Sequence, residues 1–377
     1  MIKQVQKRYI NMIVIAVVMI LINVIARLST PFSDFYLDSI FPIISAPFAF
    51  LTGLFPFSVG ELFIILCIVF VAVAIPTLLI LLFIKSKRGL LKKLSKLALD
   101  IVLWVLIFLL STITLNCFVM YQVTPFSEKY FTPVEHNEEL LVETIGMVAD
   151  RIIELHDTFE RDADGYIVLD SAYTDDCIAS LKKVSDDYPQ LRGYYPPTKL
   201  ITNSFFMSQQ GVIGVFYPMT MEANYNADIQ PISKPATICH ELAHLKGIIH
   251  EDEANFVSMV ACFNSDNPAV RYSGYLDALY YLYTDAKKLK GTEYEHDLAV
   301  AVNDVPSDVW THDISSFTAD YWEKNEEKEI IPTETVEAVS DAVSDATLKF
   351  NEVEDGIMSY YRVVQLLMDY VGNGNVI

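Results

Sequence analysis

Apolar positions crowd into the first third of the chain and thin out after it. Residues 10–26 are apolar except for Asn11 and Asn23, Leu62–Ile84 runs 23 residues without a charge, and Ile101–Met120 runs 20. A helix needs about 20 apolar residues to cross a bilayer's hydrocarbon core. The pattern therefore predicts three transmembrane helices, at about 10–28, 62–84 and 101–120, the first lengthened by Tyr9 and Leu28 at the interface. Arg27-Leu28-Ser29-Thr30-Pro31 offers no small-residue cleavage site, so the first span reads as an uncleaved anchor. Residues 41–57 are also apolar but carry Pro42, Pro47, Gly53 and Pro56. Proline breaks helices, so this stretch is expected to be interfacial or re-entrant rather than a fourth span.

After residue 121 the apolar period becomes that of surface helices. Asn137–Leu155 places Leu140, Leu141, Ile145, Val148, Ile152 and Leu155 near one stripe. Further helices are expected over Ala236–Lys246, closed by Gly247, from Glu251 to about Phe263, and over Ser273–Leu289, Glu334–Phe350 and Ile357–Tyr370. Tyr166–Leu169 and Lys199–Phe206 read as short extended pieces, and Gly211–Tyr217 as a strand. The expected fold class is a membrane protein: a membrane domain over 1–121, then a mainly α, α+β domain over 122–377 with a small sheet.

Charge sharpens this division. The 377 residues are 52% hydrophobic, with mean hydropathy +0.32 and net charge −21. Residues 1–121 hold ten Lys/Arg against four Asp/Glu, and the remainder holds 17 against 44. An acidic surface of net −27 repels phosphate backbones, so nucleic acid is not an expected partner, whereas the lipid bilayer is. Lys3, Lys7 and Arg8 precede the first span, residues 85–96 hold six basic residues, and residues 28–61 hold none. Basic loops stay inside, which predicts a cytoplasmic N terminus and an extracytoplasmic C-terminal domain. Cys67 and Cys117 sit in apolar runs, and Cys177, Cys239 and Cys262 are too scattered for a disulfide framework.

One motif concentrates the chemistry: His240-Glu241-Leu242-Ala243-His244. Histidines at i and i+4 of a helix share a face and can grip one metal ion, Zn2+ in the usual case. The intervening Glu241 can then act as general base, taking the proton of a metal-activated water. Two imidazoles need a third protein ligand. Glu251 opens the next helix, with Asn255 one turn later on the same face, where it could orient a ligand imidazole. Glu253 points roughly 200° away from Glu251 and is an alternative third ligand. So is His250, which completes an HExxHxxGxxH pattern. That pattern also calls for a methionine turn, for which Gly356-Ile357-Met358-Ser359-Tyr360 is the candidate.

Weaker candidates surround this motif. Arg271, Tyr272, Tyr275, Tyr360 and Arg362 could donate to an oxyanion, and Asn224 and Asn226 could touch substrate. Gly211–Tyr217 could be an edge strand beside which an extended peptide lies. His136, His156, His296 and His312 read as surface histidines, and Cys239 as a small buried residue.

HELAH followed by an E-x-x-x-N helix resembles the gluzincin zinc peptidases, and Glu251-Asp252-Glu253-Ala254-Asn255-Phe256 is similar to the short-spaced version in phage-immunity regulator peptidases. Over nearly its full length the chain resembles an uncharacterised family of bacterial membrane proteins, a domain of unknown function with N-terminal spans and an outer HExxH domain. The residues that carry this resemblance are HELAH with EDEANF, Pro56-Phe57-Ser58-Val59-Gly60-Glu61, Arg271–Leu279, and Asp355-Gly356 through Tyr360-Arg362-Val363-Val364. The resemblance implies a zincin-like fold and metallopeptidase chemistry in a bacterial cell membrane. In that family the position of His250 is usually not histidine, so the resemblance favours a glutamate as third ligand. The expectation is a zinc-dependent peptidase acting on a peptide or protein near the outer membrane face. The alternative is a non-catalytic zinc-binding membrane sensor or assembly factor.

Overall fold

The computed structural model describes residues 2–329, 331–350 and 360–377. The chain divides into two compact units, Met1–Val123 with Tyr217–Glu222, and Thr124–Phe216 with Ala223–Ile377. It is mostly helical with one small sheet.

The first unit is built from α1 (Ile2–Leu28), α2 (Thr30–Gly53), α3 (Val59–Phe83) and α4 (Arg88–Ile113). All four belong to helical stretches long and apolar enough to cross a membrane, so the chain is a membrane protein. The α3 helix exposes Ile68, Val73, Ile80 and Leu82 on different sides, which suits a helix bathed in lipid. Its Pro76 lies inside the helix, as is tolerated in membranes.

The expected break at residues 41–57 is not there: α2 stays helical through Pro42 and Pro47. A π-turn at Tyr36–Ile40 precedes Pro42, which then falls in the first turn of the α-helical portion, where a missing N–H is tolerated. The chain leaves the helix only at residues 54–58. The third expected span is likewise longer than its apolar core. It begins in the basic stretch at Arg88, and a π-turn at Thr114–Phe118 follows it.

The segment Tyr217–Glu222 has no sequence signal for membership of this unit. Its carbonyls and carboxylate supply partners that apolar helices lack. Asn116 donates to Pro218 O at 2.8 Å and Thr52 to Thr220 O at 3.1 Å. The buried Glu222 carboxylate accepts from Val59 N at 3.0 Å and Gly60 N at 2.7 Å. Those amides open α3, where backbone N–H groups want an anion.

The second unit carries α5 (Glu138–His156), α6 (Tyr173–Val184), α7 (Lys234–His244), α8 (Glu251–Phe263), α9 (Pro268–Ala286), α10 (Thr333–Phe350) and α11 (Tyr360–Gly372). Asn137 caps α5 by accepting from Leu140 N at 2.9 Å. Three strands, β1 (Lys199–Ile201), β2 (Gly214–Tyr217) and β3 (Glu222–Asn226), form a sheet in the order β1-β3-β2. Strand β1 pairs parallel to β3, with Leu200 opposite Tyr225. Lys199–Phe206 is thus strand only at its start and turns helical at Ser204. Tyr166–Leu169 forms no strand, only an isolated bridge between Ile167 and Arg161.

Helices α7, α8 and α9 make the core of this unit. Ile238, Leu242, Phe256 and Leu279 are fully buried, as are Cys177, Cys239 and Cys262. Ser258 donates to Ala236 O at 2.6 Å, tying α8 to α7. Gly274 lets α9 approach α8 so closely that a Cβ there would collide with Cys262 Cβ. Gly274→Ala should therefore overpack the core at a cost of about 1–3 kcal/mol. At about 2–4 °C per kcal/mol, this will read as a lowered melting temperature of the detergent-solubilised protein.

Candidate metal centre

Helix α7 starts with Pro235 in its first turn, already set for a helical backbone, and ends at a turn through Gly247, φ +78°. That turn returns the chain so that Ile248 O accepts from His244 Nδ1 at 2.6 Å. A carbonyl only accepts, so Nδ1 carries the proton and Nε2 keeps its lone pair. The next helix opens with Glu251, whose carboxylate comes back to the two rings. Its oxygens lie 3.1 Å from His240 Nε2 and 3.8 Å from His244 Nε2. One ligand atom from each of His240, His244 and Glu251 falls within 4.8 Å of the others, the one such group of His, Cys, Asp or Glu among the described residues. The rings stand nearly perpendicular, 4.6 Å between centroids. The Glu251 side chain is 46% exposed, so the cluster meets solvent on its side.

Glu241 is buried beside this cluster, and its Oε2 has no hydrogen-bond partner. The carboxylate lies directly over Gly214 of β2, and a Cβ at that position would overlap Glu241 Oε1. The same strand lays Phe216 against His244, ring centroids 5.8 Å apart. The glycine thus has a steric task that the strand pattern does not announce.

Electrostatics follow from burial and pairing. Burial pushes the Glu241 carboxyl up to about 8, against the pull of His240. Burial also opposes charge on His240, but the hydrogen bond and charge of Glu251 outweigh it and carry the ring up to about 9. His244 is lowered by burial to about 4. Partial desolvation works against ionised Glu251 even though its side chain is 46% exposed, yet the two imidazoles hold it down at about 2. Glu251 therefore favours a proton on His240, 3.1 Å away, while burial disfavours charge on His244.

The remaining sequence candidates lie elsewhere. Glu253 is turned away: Ser127 N and Oγ donate to it at 2.9 and 2.6 Å, and Arg362 pairs with it at 3.5 Å. His250 stands just ahead of α8 and is not in the three-residue group. Asn255 donates to Tyr281 Oη at 3.1 Å, not to a ligand imidazole. Tyr272 donates to Asp313 at 2.9 Å, Tyr275 stacks on Phe263, and Arg271 donates to the Ser265 carbonyl at 2.7 Å. Arg362 also binds Asp252 at 2.9 Å. Asn224 and Asn226 are buried braces that donate to Val215 O and Val212 O beside β2. Three of the supposed surface histidines have partners: His136 with Asp369, His156 with Asp157 and Asp308, and His312 with Asp313. Residues 356–359 of the methionine-turn candidate and the side chain of Tyr360 lie outside the described residues. Two participants were missed, Gly214 and Ile248. Neither carries a chemical signal, since one acts by lacking a side chain and the other through its backbone.

A buried carboxylate without a partner should destabilise the metal-free fold wherever it would ionise when unfolded. Glu241 titrates near 4.5 unfolded and about 8 folded, so its stability contribution is full below pH 4.5 and lost as pH rises through 8. Glu241→Gln should melt above wild type at pH 8 in the presence of chelator, with the gap closing toward pH 4.5.

The family described as "Protein of unknown function (DUF3810)" matches residues 36–368, which takes in both units and the whole α7–α8 site. No curated protein and no solved structure matches the chain.

Proposed function

The chain belongs to the DUF3810 family of proteins of unknown function, and we propose that it is a membrane-anchored, zinc-dependent peptidase with a gluzincin-like site. The observation that carries this reading is the convergence of His240, His244 and Glu251 within 4.8 Å beside the buried, unpartnered Glu241. The donor set fits the metal: two imidazoles and one carboxylate make a three-ligand catalytic zinc site that leaves a position for water. Nε2 of His244 is already the free nitrogen.

Zinc bound there would supply Lewis acidity, polarising a substrate carbonyl and acidifying a water molecule. The chain's own residues do the rest. Glu241 Oε2 takes the proton of the attacking water and later gives it to the departing amine. Gly214 leaves the space this carboxylate occupies. Strand β2 is an edge of the sheet, and an extended peptide can pair along it and pass Glu241.

The test is the full chain in detergent. It should hold about one zinc ion and cleave members of a random peptide library. Glu241→Gln should keep the zinc and lose cleavage by about 100-fold or more. Gly214→Ala should also keep zinc while cleavage falls, because its Cβ displaces Glu241. Full cleavage by Glu241→Gln would overturn the enzyme reading. Zinc without cleavage of any peptide would favour the sensor or assembly factor.

We also propose that α1, α3 and α4 cross the membrane and α2 does not. Crossing by all four would place the basic stretch 85–96 opposite the basic N terminus, against the tendency of both to remain inside. The α2 helix is also the most buried of the four candidate spans. The catalytic unit is then extracytoplasmic, and its substrate is a peptide or protein near the outer face. A phosphatase reporter fused to the C terminus should be active and a cytoplasm-only reporter silent; the reverse result would overturn this topology.

A further inference from the structure

His240 presents Nε2 to Glu251, but its other ring nitrogen, Nδ1, is buried without a hydrogen-bond partner. Metal-binding histidines nearly always donate that second N–H, because the bond fixes the ring's tautomer and orientation. The sequence nominates Asn255 for the task, and the structure commits it to Tyr281.

Helix α9 carries a different candidate. Ser273, Asp277 and Tyr281 are spaced by four residues and so share one face. The outer two have their partners in view. Ser273 Oγ accepts from Ala236 N at 3.0 Å, and Ala236 lies one turn before His240 on α7. Tyr281 Oη accepts from Asn255, one turn after Glu251 on α8. Asp277 sits between these two contacts, one turn beyond Ser273 as His240 is one turn beyond Ala236.

We infer that Asp277 is the positioning residue of the metal centre: with an ion held at Nε2, its carboxylate takes the Nδ1–H of His240, a bond this structure does not contain, and fixes the ring's orientation. The inference rests on the zinc-site reading above.

The experiment uses the full chain in detergent. Zinc affinity is measured by chelator competition, and the imidazole signals of zinc-loaded, 15N-histidine-labelled protein are recorded. Asp277→Ala should weaken zinc binding about 10- to 100-fold. Asp277→Asn, which keeps an acceptor oxygen, should recover much of that loss. Both should melt near wild type in chelator, as a positioning role requires. In wild type the His240 Nδ1–H should give a protected downfield proton, and this readout holds even if Asp277→Ala does not fold. Zinc binding within twofold of wild type in Asp277→Ala, or a His240 Nδ1 without its proton in wild type, would overturn the assignment alone. Wild-type protein that takes up no zinc would overturn it together with the peptidase reading.

Discussion

The Glu251 carboxylate set between two imidazoles is the interaction on which the rest of the site depends. It is also what makes the arrangement unusual for a core. Helices α7 and α8 bury apolar side chains along most of their length, yet at one end they bring a carboxylate and two rings into contact. Partly buried ion pairs offset their own desolvation only when geometry is good. Here the geometry comes from the six residues between the helices. The Gly247 turn both ends α7 and sends the Ile248 carbonyl to His244, and α8 begins where Glu251 can point back. The exposure of Glu251 makes its charge less costly than that of the buried groups around it.

Glu241 presses the same point further. A buried carboxylate with an unpartnered oxygen is a net cost that nothing else in the core offsets. Such groups persist where a site needs them, and structural ion networks elsewhere in this chain look different. Arg161 reaches both oxygens of the buried Asp313, and Tyr272 and His312 complete that cluster. Burial there raises the Asp313 carboxyl, but its hydrogen bonds win and hold it low. Glu241 has no such company. One buried acid of this unit is thus satisfied by its neighbours and the other is not.

Much of this was legible in the sequence, and what was hidden shares a physical cause. The HExxH spacing, the helical stripe from residue 137, the start of α8 at Glu251 and the long uncharged runs are local signals, written in residues that act through their own neighbours. Strand β3 was not legible because Glu222-Ala223-Asn224-Tyr225-Asn226 is buried throughout and half polar, so it shows neither alternation nor an apolar run. The continuity of α2 was hidden because proline is punished for what it lacks, and the π-turn before Pro42 removes the demand. Asn255 was assigned by helical phase alone. Phase gives the face correctly but not which neighbour, α7 or α9, that face meets.

The two overlapping motifs after His244 show how local geometry chooses between them. HExxHxxGxxH and HExxH followed by E-x-x-x-N differ by one residue in the position of the third donor, His250 or Glu251. A one-residue step on a helix rotates the side chain by about 100°, so one chain path cannot aim both at the same point. Here His250 keeps an extended backbone, φ −67° and ψ 128°, as the residue before α8, and the helix begins at Glu251. Starting the helix there places Ala254, Val257 and Ser258 in the core against α7 and leaves Glu251 at the rim beside the rings. Turning the helix to deliver His250 instead would displace the buried residues Ala254 and Phe256–Phe263 from their packing. The packing of α8, more than the chemistry of either donor, therefore places the glutamate beside the two rings.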